Sequence, residues 1–162
     1  KSGLQSYIDE FNYEAYEAHI EKYGYPQSIL KIGLDPDFSD FEMNVKRVSN
    51  PGRSHFVVNV GRTLHQLLNN KSKENIDLRR ALLVNALTGA FGILANDFQK
   101  DPDEEMLEIE HCVVLSSLQS KLIELGVSSW CDSENFSPIH AATKLEKLTW
   151  TLNPNSMESD ND

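Results

Sequence analysis

Apolar side chains recur along most of this chain at the three- and four-residue intervals that line one side of a helix. Leu4, Tyr7, Ile8, Phe11, Ala15, Ala18 and His19 share one arc, which Tyr16, Ile20 and Tyr23 widen, and Gly24 supplies a stop. On a neighbouring narrow face Glu10, Glu14, Glu17 and Glu21 stack in a row. The pattern predicts a helix over 3–23, buried except along the Glu row. Val57, Val60, Leu64 and Leu67, with Ser54 as N-cap, predict a helix over 54–70. The competing reading there is a hairpin around "NPGR", with Met43 and Val45 facing Phe56, Val58 and Val60. Residues 25–53 are otherwise a poorly defined connection, with either that hairpin or short helices at 27–32 and 38–48.

A third helix spans 74–98 and contains the least polar stretch of the chain, "LRRALLVNALTGAFGILANDF". Its large side chains and its small ones (Ala81, Ala86, Gly89, Ala90, Gly92, Ala95) both spread around the axis, the mark of a helix buried on all sides. It is expected as the central helix, with the glycines admitting close neighbours to offset their poor helix propensity. A second reading has Gly89 and Gly92 lining a ligand cleft or the seam of a homodimer. The uncharged part, 81–96, falls short of the roughly 20 apolar residues of a membrane span and holds Asn85, Thr88 and Asn96, so no membrane association is expected.

Asp101-Pro102-Asp103-Glu104 sets a cap, a first-position proline and a capping-box acid in sequence, starting a helix over 102–125 that ends at Gly126. Ser137-Pro138 starts the last helix, 138–152, with Ile139, Ala142, Leu145, Leu148 and Leu152 on one side, and Asn153-Pro154 stops it. Together these predict an all-α fold: one irregular bundle of five main helices over 1–152, followed by a solvated acidic tail, 153–162.

Charge narrows the partners. The 162 residues hold 15 Lys+Arg against 25 Asp+Glu, a net −10 that repels nucleic-acid phosphate and anionic lipid and suits a basic partner. Two cysteines, Cys112 and Cys131, are too few for a disulfide framework and point to free thiols in the cytoplasm or another reducing compartment.

Candidate chemistry is sparse. Glu108-Ile-Glu-His111 has the spacing that in di-iron bundles turns a carboxylate and an imidazole toward metal, but no second copy exists, and His111 also falls in line with Leu107, Val114 and Leu118 as a core histidine. Cys112, Cys131, His111 and His140 lack the tight pairs of a structural zinc site. Cys131, in a loop beside Trp130 and Asp132, is the more reactive thiol but has no evident base, and Cys112 sits among apolar neighbours. Glu14-Ala-Tyr-Glu17 and Glu74-Asn-Ile-Asp77 resemble the paired acidic motifs of all-helical nucleotide pyrophosphohydrolases, which implies Mg²⁺ held against a triphosphate. No basic cluster attends the two motifs. No cofactor and no metal are expected, with Glu108, His111, Glu14 and Glu17 as the candidates should a metal bind.

The favoured reading is a non-enzymatic protein-interaction module of regulatory or inhibitory type. All five tyrosines lie within the first 25 residues, and Tyr13, Tyr16 and Tyr23 beside Glu10, Glu14, Glu17 and Glu21 form the candidate contact surface. The alternative is a small all-helical, metal-dependent hydrolase acting on nucleotides through Glu carboxylates.

Overall fold

The computed structural model describes residues 14, 15, 18, 21, 22, 29–69 and 73–145. In chain order these form β1 (Leu30–Leu34), β2 (Met43–Asn50), β3 (Arg53–Val60), α1 (Arg62–Asn69), a 3-10 turn (Lys73–Asn75), α2 (Ile76–Lys100), α3 (Pro102–His111), α4 (Val113–Glu124) and α5 (Pro138–Leu145). The fold is therefore not all-α. Among the described residues, the five helices α1–α5 pack with a three-stranded mixed sheet of order β1-β3-β2.

The hairpin reading wins at 43–60, and the helix expected over 54–70 is half strand. β2 pairs antiparallel with β3 from Met43↔Val60 to Asn50↔Arg53, and β1 runs parallel to β3 on its other side. Pro51 and Gly52 make the turn, Gly52 taking φ 75°, as the second central position of a type II turn requires. Residues 29–32 and 38–48 form no helix, and 27 and 28 lie outside the described residues. Every residue of β3 from Ser54 to Val60 is buried, so both faces of this central strand are covered. That is why its sequence lacks the alternation that marks a half-exposed strand, and why Val57 and Val60 fit a helical period by coincidence.

Order β1-β3-β2 obliges the connection from β1 to β2 to cross the C-terminal end of β3. "DPDFSDFE" does this in two tight turns: Asp35 Oδ1 accepts from Asp37 N at 3.0 Å, and Glu42 Oε1 accepts from Ser39 N at 3.0 Å. Gly61, just past β3, donates to Glu42 O at 2.9 Å and lies beneath this crossing. A Cβ there would overlap the Ser39 carbonyl oxygen and come within 2.9 Å of the Asp40 carbonyl carbon.

The long apolar helix packs against β2, α1, α3 and α5, as a central element should. It is not buried all round. Leu83, Ala86, Leu87, Ala90, Phe91 and Leu94 form its buried stripe, whereas Leu78 is 47% exposed and Ala81 and Asn85 face solvent. With the preceding turn, Lys73–Lys100 is long and apolar enough to cross a membrane, and 33% of its most apolar window is buried. The two glycines differ: a Cβ on Gly89 would stand 3.2 Å from Val45 Cγ2, so this one admits the sheet, but a Cβ on Gly92 would have no neighbour within 4 Å.

Residues 102–125 form two helices, broken at Cys112, whose backbone is extended (φ −109°, ψ 107°). On one continuous helix Ile109 would point about half a turn away from Val114, Leu118 and Leu122. The break lets all four reach the same core, with Cys112 itself fully buried. Both strong helix starts stand where the sequence puts them: Asp101 Oδ1 accepts from Glu104 N at 3.2 Å, and Ser137 Oγ accepts from His140 N at 3.2 Å. At the end of α4, Gly126 (φ 81°) and Val127 donate back to Ile123 O and Leu122 O, both at 3.0 Å, in a Schellman cap. Phe91 meets Trp130 in a tilted contact, ring centroids 6.2 Å apart, and Phe136 edge-on at 5.8 Å.

Of the helix expected over 3–23, Glu14, Ala15, Ala18, Glu21 and Lys22 are helical and exposed, so Ala15 and Ala18 do not lie on a buried arc. Its remainder, the end of the last helix and the tail 153–162 lie outside the described residues.

Candidate functional site

A buried polar cluster lies where β2 and β3 meet α2 and α3. β2 alternates over Met43–Arg47: Asn44 and Lys46 are exposed, while Met43, Val45 and Arg47 turn inward. Directly opposite residues share a sheet face, so Arg47 stands beside Phe56, and Ser49 beside Ser54, under α2 and α3. The Arg47 side chain is 8% exposed. One of its terminal nitrogens donates to Asp97 Oδ2 of α2 and to Glu105 Oε1 of α3, each at 2.9 Å; the other donates to Ser54 Oγ at 3.2 Å. Burial alone would push the Arg47 guanidinium down, but the hydrogen bonds and charges of Asp97 and Glu105 outweigh it and hold Arg47 above its usual value. Ser54 Oγ lies 3.2 Å from Ser49 Oγ and donates to Glu108 Oε1 at 3.4 Å. One guanidinium thus ties the hairpin to two helices.

Outside this clamp lies a hollow of about 450 Å³, walled by Pro51 and Gly52 of the turn and by Glu104, Leu107, Glu108 and His111 of α3. The turn sits close to the helix end: a Cβ on Gly52 would stand 3.2 Å from His111 O. α3 buries only Ile109, and Asp103, Glu104, Met106, Leu107, Glu110 and His111 are all exposed. Glu104 bonds Asp101 and is surrounded by the negative charge of Asp101, Glu105 and Glu108, which raises its carboxyl above the usual value. His111 Nδ1 donates to Leu107 O at 2.8 Å, which places the ring proton on Nδ1.

His111 is therefore not the core histidine that its alignment with Leu107, Val114 and Leu118 suggests; Leu107 itself is 55% exposed, and the helix ends before Val114. Glu108 and His111 do share one hollow. Among the described residues, however, no group of three or more His, Cys, Asp or Glu side chains is placed to hold a metal ion. That applies also to Cys112, Cys131, His111 and His140. Both cysteines are free, and burial, the largest influence, pushes the Cys131 thiol up despite hydrogen bonds from Ser129 and Gln119. Such a shift makes Cys131 a poorer nucleophile, not a better one. Glu14 and Glu21 are exposed helical residues, as are Glu74 and Asp77 in and beyond the 3-10 turn. Glu10, Glu17, Tyr13, Tyr16 and Tyr23 lie outside the described residues.

Periodicity missed Arg47 and the hollow. The signal for Arg47 was present: a cation at an inward position of an alternating strand must find buried carboxylates. The hollow had no local signal, since it joins a turn and a helix some 50 residues apart in the chain.

No protein family, curated protein or solved structure that was searched matches this chain.

Proposed function

We propose that this chain is a non-enzymatic interaction module of regulatory or inhibitory type, whose acidic surface takes a basic protein partner. The observation that carries the reading is α3. It presents Met106 and Leu107, 47% and 55% exposed, among Asp103, Glu104 and Glu110, on a base that Arg47 ties to the hairpin and α2. Exposed apolar side chains ringed by one sign of charge suit a protein surface of the opposite sign. The adjoining hollow is too open to surround a small substrate, because Glu104, Leu107 and His111 along its wall are themselves exposed. Two free thiols fit a reducing compartment.

Calorimetric titration tests the reading. Basic proteins and peptides are expected to bind, more weakly as salt is raised. Separate titrations with Mg²⁺, Mn²⁺ and Zn²⁺ probe the metal-dependent hydrolase alternative, whose support is that Glu104, Glu108 and His111 share one hollow. Tight metal binding abolished by Glu108→Ala or Glu14→Ala, together with nucleotide hydrolysis, would reverse the assignment.

A further inference from the structure

Resting on that reading, we propose that the hollow between the Pro51-Gly52 turn and α3 is the docking site, and that it receives an arginine of the partner protein flanked by an aliphatic residue. The chemistry of the lining selects this occupant. Glu104 and Glu108, one turn apart on α3, offer carboxylates on the same wall, and Leu107 with Pro51 supplies an apolar shelf beside them. A guanidinium suits two carboxylates and lies flat on apolar surface, while its neighbour covers Leu107.

Charge complementarity is specific to this place. Acids in the first turn of α3 (Asp103, Glu104, Glu105) are what a helix N-terminus favours in any protein. Glu108 and Glu110 sit in the last turn, where the helix dipole opposes negative charge, and no structural gain within α3 accounts for them. The clamp does not neutralise them either. Arg47 donates to Asp97 and Glu105, whereas Glu108 has a single long hydrogen bond from the Ser54 hydroxyl. Glu104 is raised by its acidic neighbours, so a cation arriving at the hollow relieves repulsion already present. A metal ion is a poorer fit because the described residues bring no three ligands together.

The test uses the whole chain and short peptides carrying an Arg-Leu pair in a Gly/Ser background, each with a neutral citrulline counterpart. Binding is read from amide chemical shifts and their titration midpoints. Shifts are expected at Glu104, Leu107, Glu108 and His111, with affinity falling about tenfold for citrulline and for Glu104→Gln combined with Glu108→Gln. Gln at 108 still accepts from Ser54, and Leu107→Lys, at an exposed position, gives an independent loss without disturbing the core. A thermal midpoint in these variants no lower than that of the unaltered chain shows that the loss is one of binding. If the peptides bind equally to the groove variants and lose affinity with Glu14→Lys and Glu21→Lys, the site is wrong while the broader function stands. If no basic peptide or protein binds the unaltered chain, both fall.

Discussion

Replacing Arg47 with Met keeps an unbranched apolar stem and removes the charge that joins three elements. Its cost can be worked from who is left behind. Glu105, whose side chain is 14% exposed, loses the guanidinium 2.9 Å away and becomes a nearly buried carboxylate without a counter-charge. Asp97 is 32% exposed and can recover water, and Ser54 keeps Ser49 and Glu108. Breaking one side of a buried ion pair costs about 3–5 kcal/mol, and the accessibility of Asp97 puts this case at the lower end, about 3 kcal/mol. For a chain of this size that is a fall in Tm of roughly 6–12 °C.

The assay is urea unfolding followed by circular dichroism, with the midpoint falling and the slope unchanged. A second substitution makes the argument specific. Most of the penalty is the stranded Glu105 carboxylate, so adding Glu105→Met to Arg47→Met should restore about 2 kcal/mol rather than add a further loss. A cost for Arg47→Met below about 1 kcal/mol would show that the clamp is solvated and contributes little. Losses that simply add in the double variant would show that Arg47 and Glu105 are not coupled. Either result refutes the reasoning.

Two further substitutions check the packing and the buried imidazole. Gly92→Ala should stabilise by about 0.5–1 kcal/mol in thermal melts, since its Cβ meets nothing within 4 Å, while Gly89→Ala should gain less or lose, because Val45 stands 3.2 Å away; a destabilised Gly92→Ala would reveal a neighbour at that face. His55 is 4% exposed, and burial first, then the charge of Lys31, lowers its pKa from 6.5 to about 4. The unfolded chain therefore takes up the proton first, so this contribution is complete above pH 6.5 and is lost as pH falls toward 4, by up to about 3 kcal/mol. Proton NMR of the His55 ring should show titration near 4, with the matching pH slope of stability absent in His55→Leu; a midpoint near 6.5 removes the argument.

How far the sequence could be read depended on whether the cause was local. The starts at Asp101-Pro102 and Ser137-Pro138 and the stop at Gly126 were legible because capping chemistry lies within a few residues of its effect. β3 was not, because burial on both faces erases the alternation by which a strand is recognised, and Ser54, His55 and Asn59 interrupt the apolar run as helical polar positions would. The break at Cys112 carries neither Gly nor Pro, yet it was recoverable in principle. Ile109 is out of phase with Val114, Leu118 and Leu122, and a phase jump within a predicted helix is itself evidence of a joint. In the candidate site, Glu108 and His111 were visible as a spaced pair, but Pro51, Gly52 and Leu107 gain meaning only when the hairpin folds back onto α3.

The same geometry divides the acids at the α2–α3 corner by what stabilises them. Asp97 and Glu105 turn toward Arg47, and Asp101 caps α3, so each has a structural reason to be an acid. Glu104 faces other carboxylates, and Glu108 and Glu110 stand at the dipole's unfavourable end. A purely structural surface gains by replacing acids at that C-terminal end with neutral or basic ones, each worth about 0.3–1 kcal/mol. Glu110→Lys, turned away from the hollow, should therefore raise stability wherever the surrounding acids are uncompensated. Glu108→Gln, at that same end and still able to accept from Ser54, should raise stability as well, and weaken capture of an arginine peptide. A surface that is more stable once it can no longer bind is what a recognition site built against its own folding predicts, since stability has been traded there for charge a partner can use.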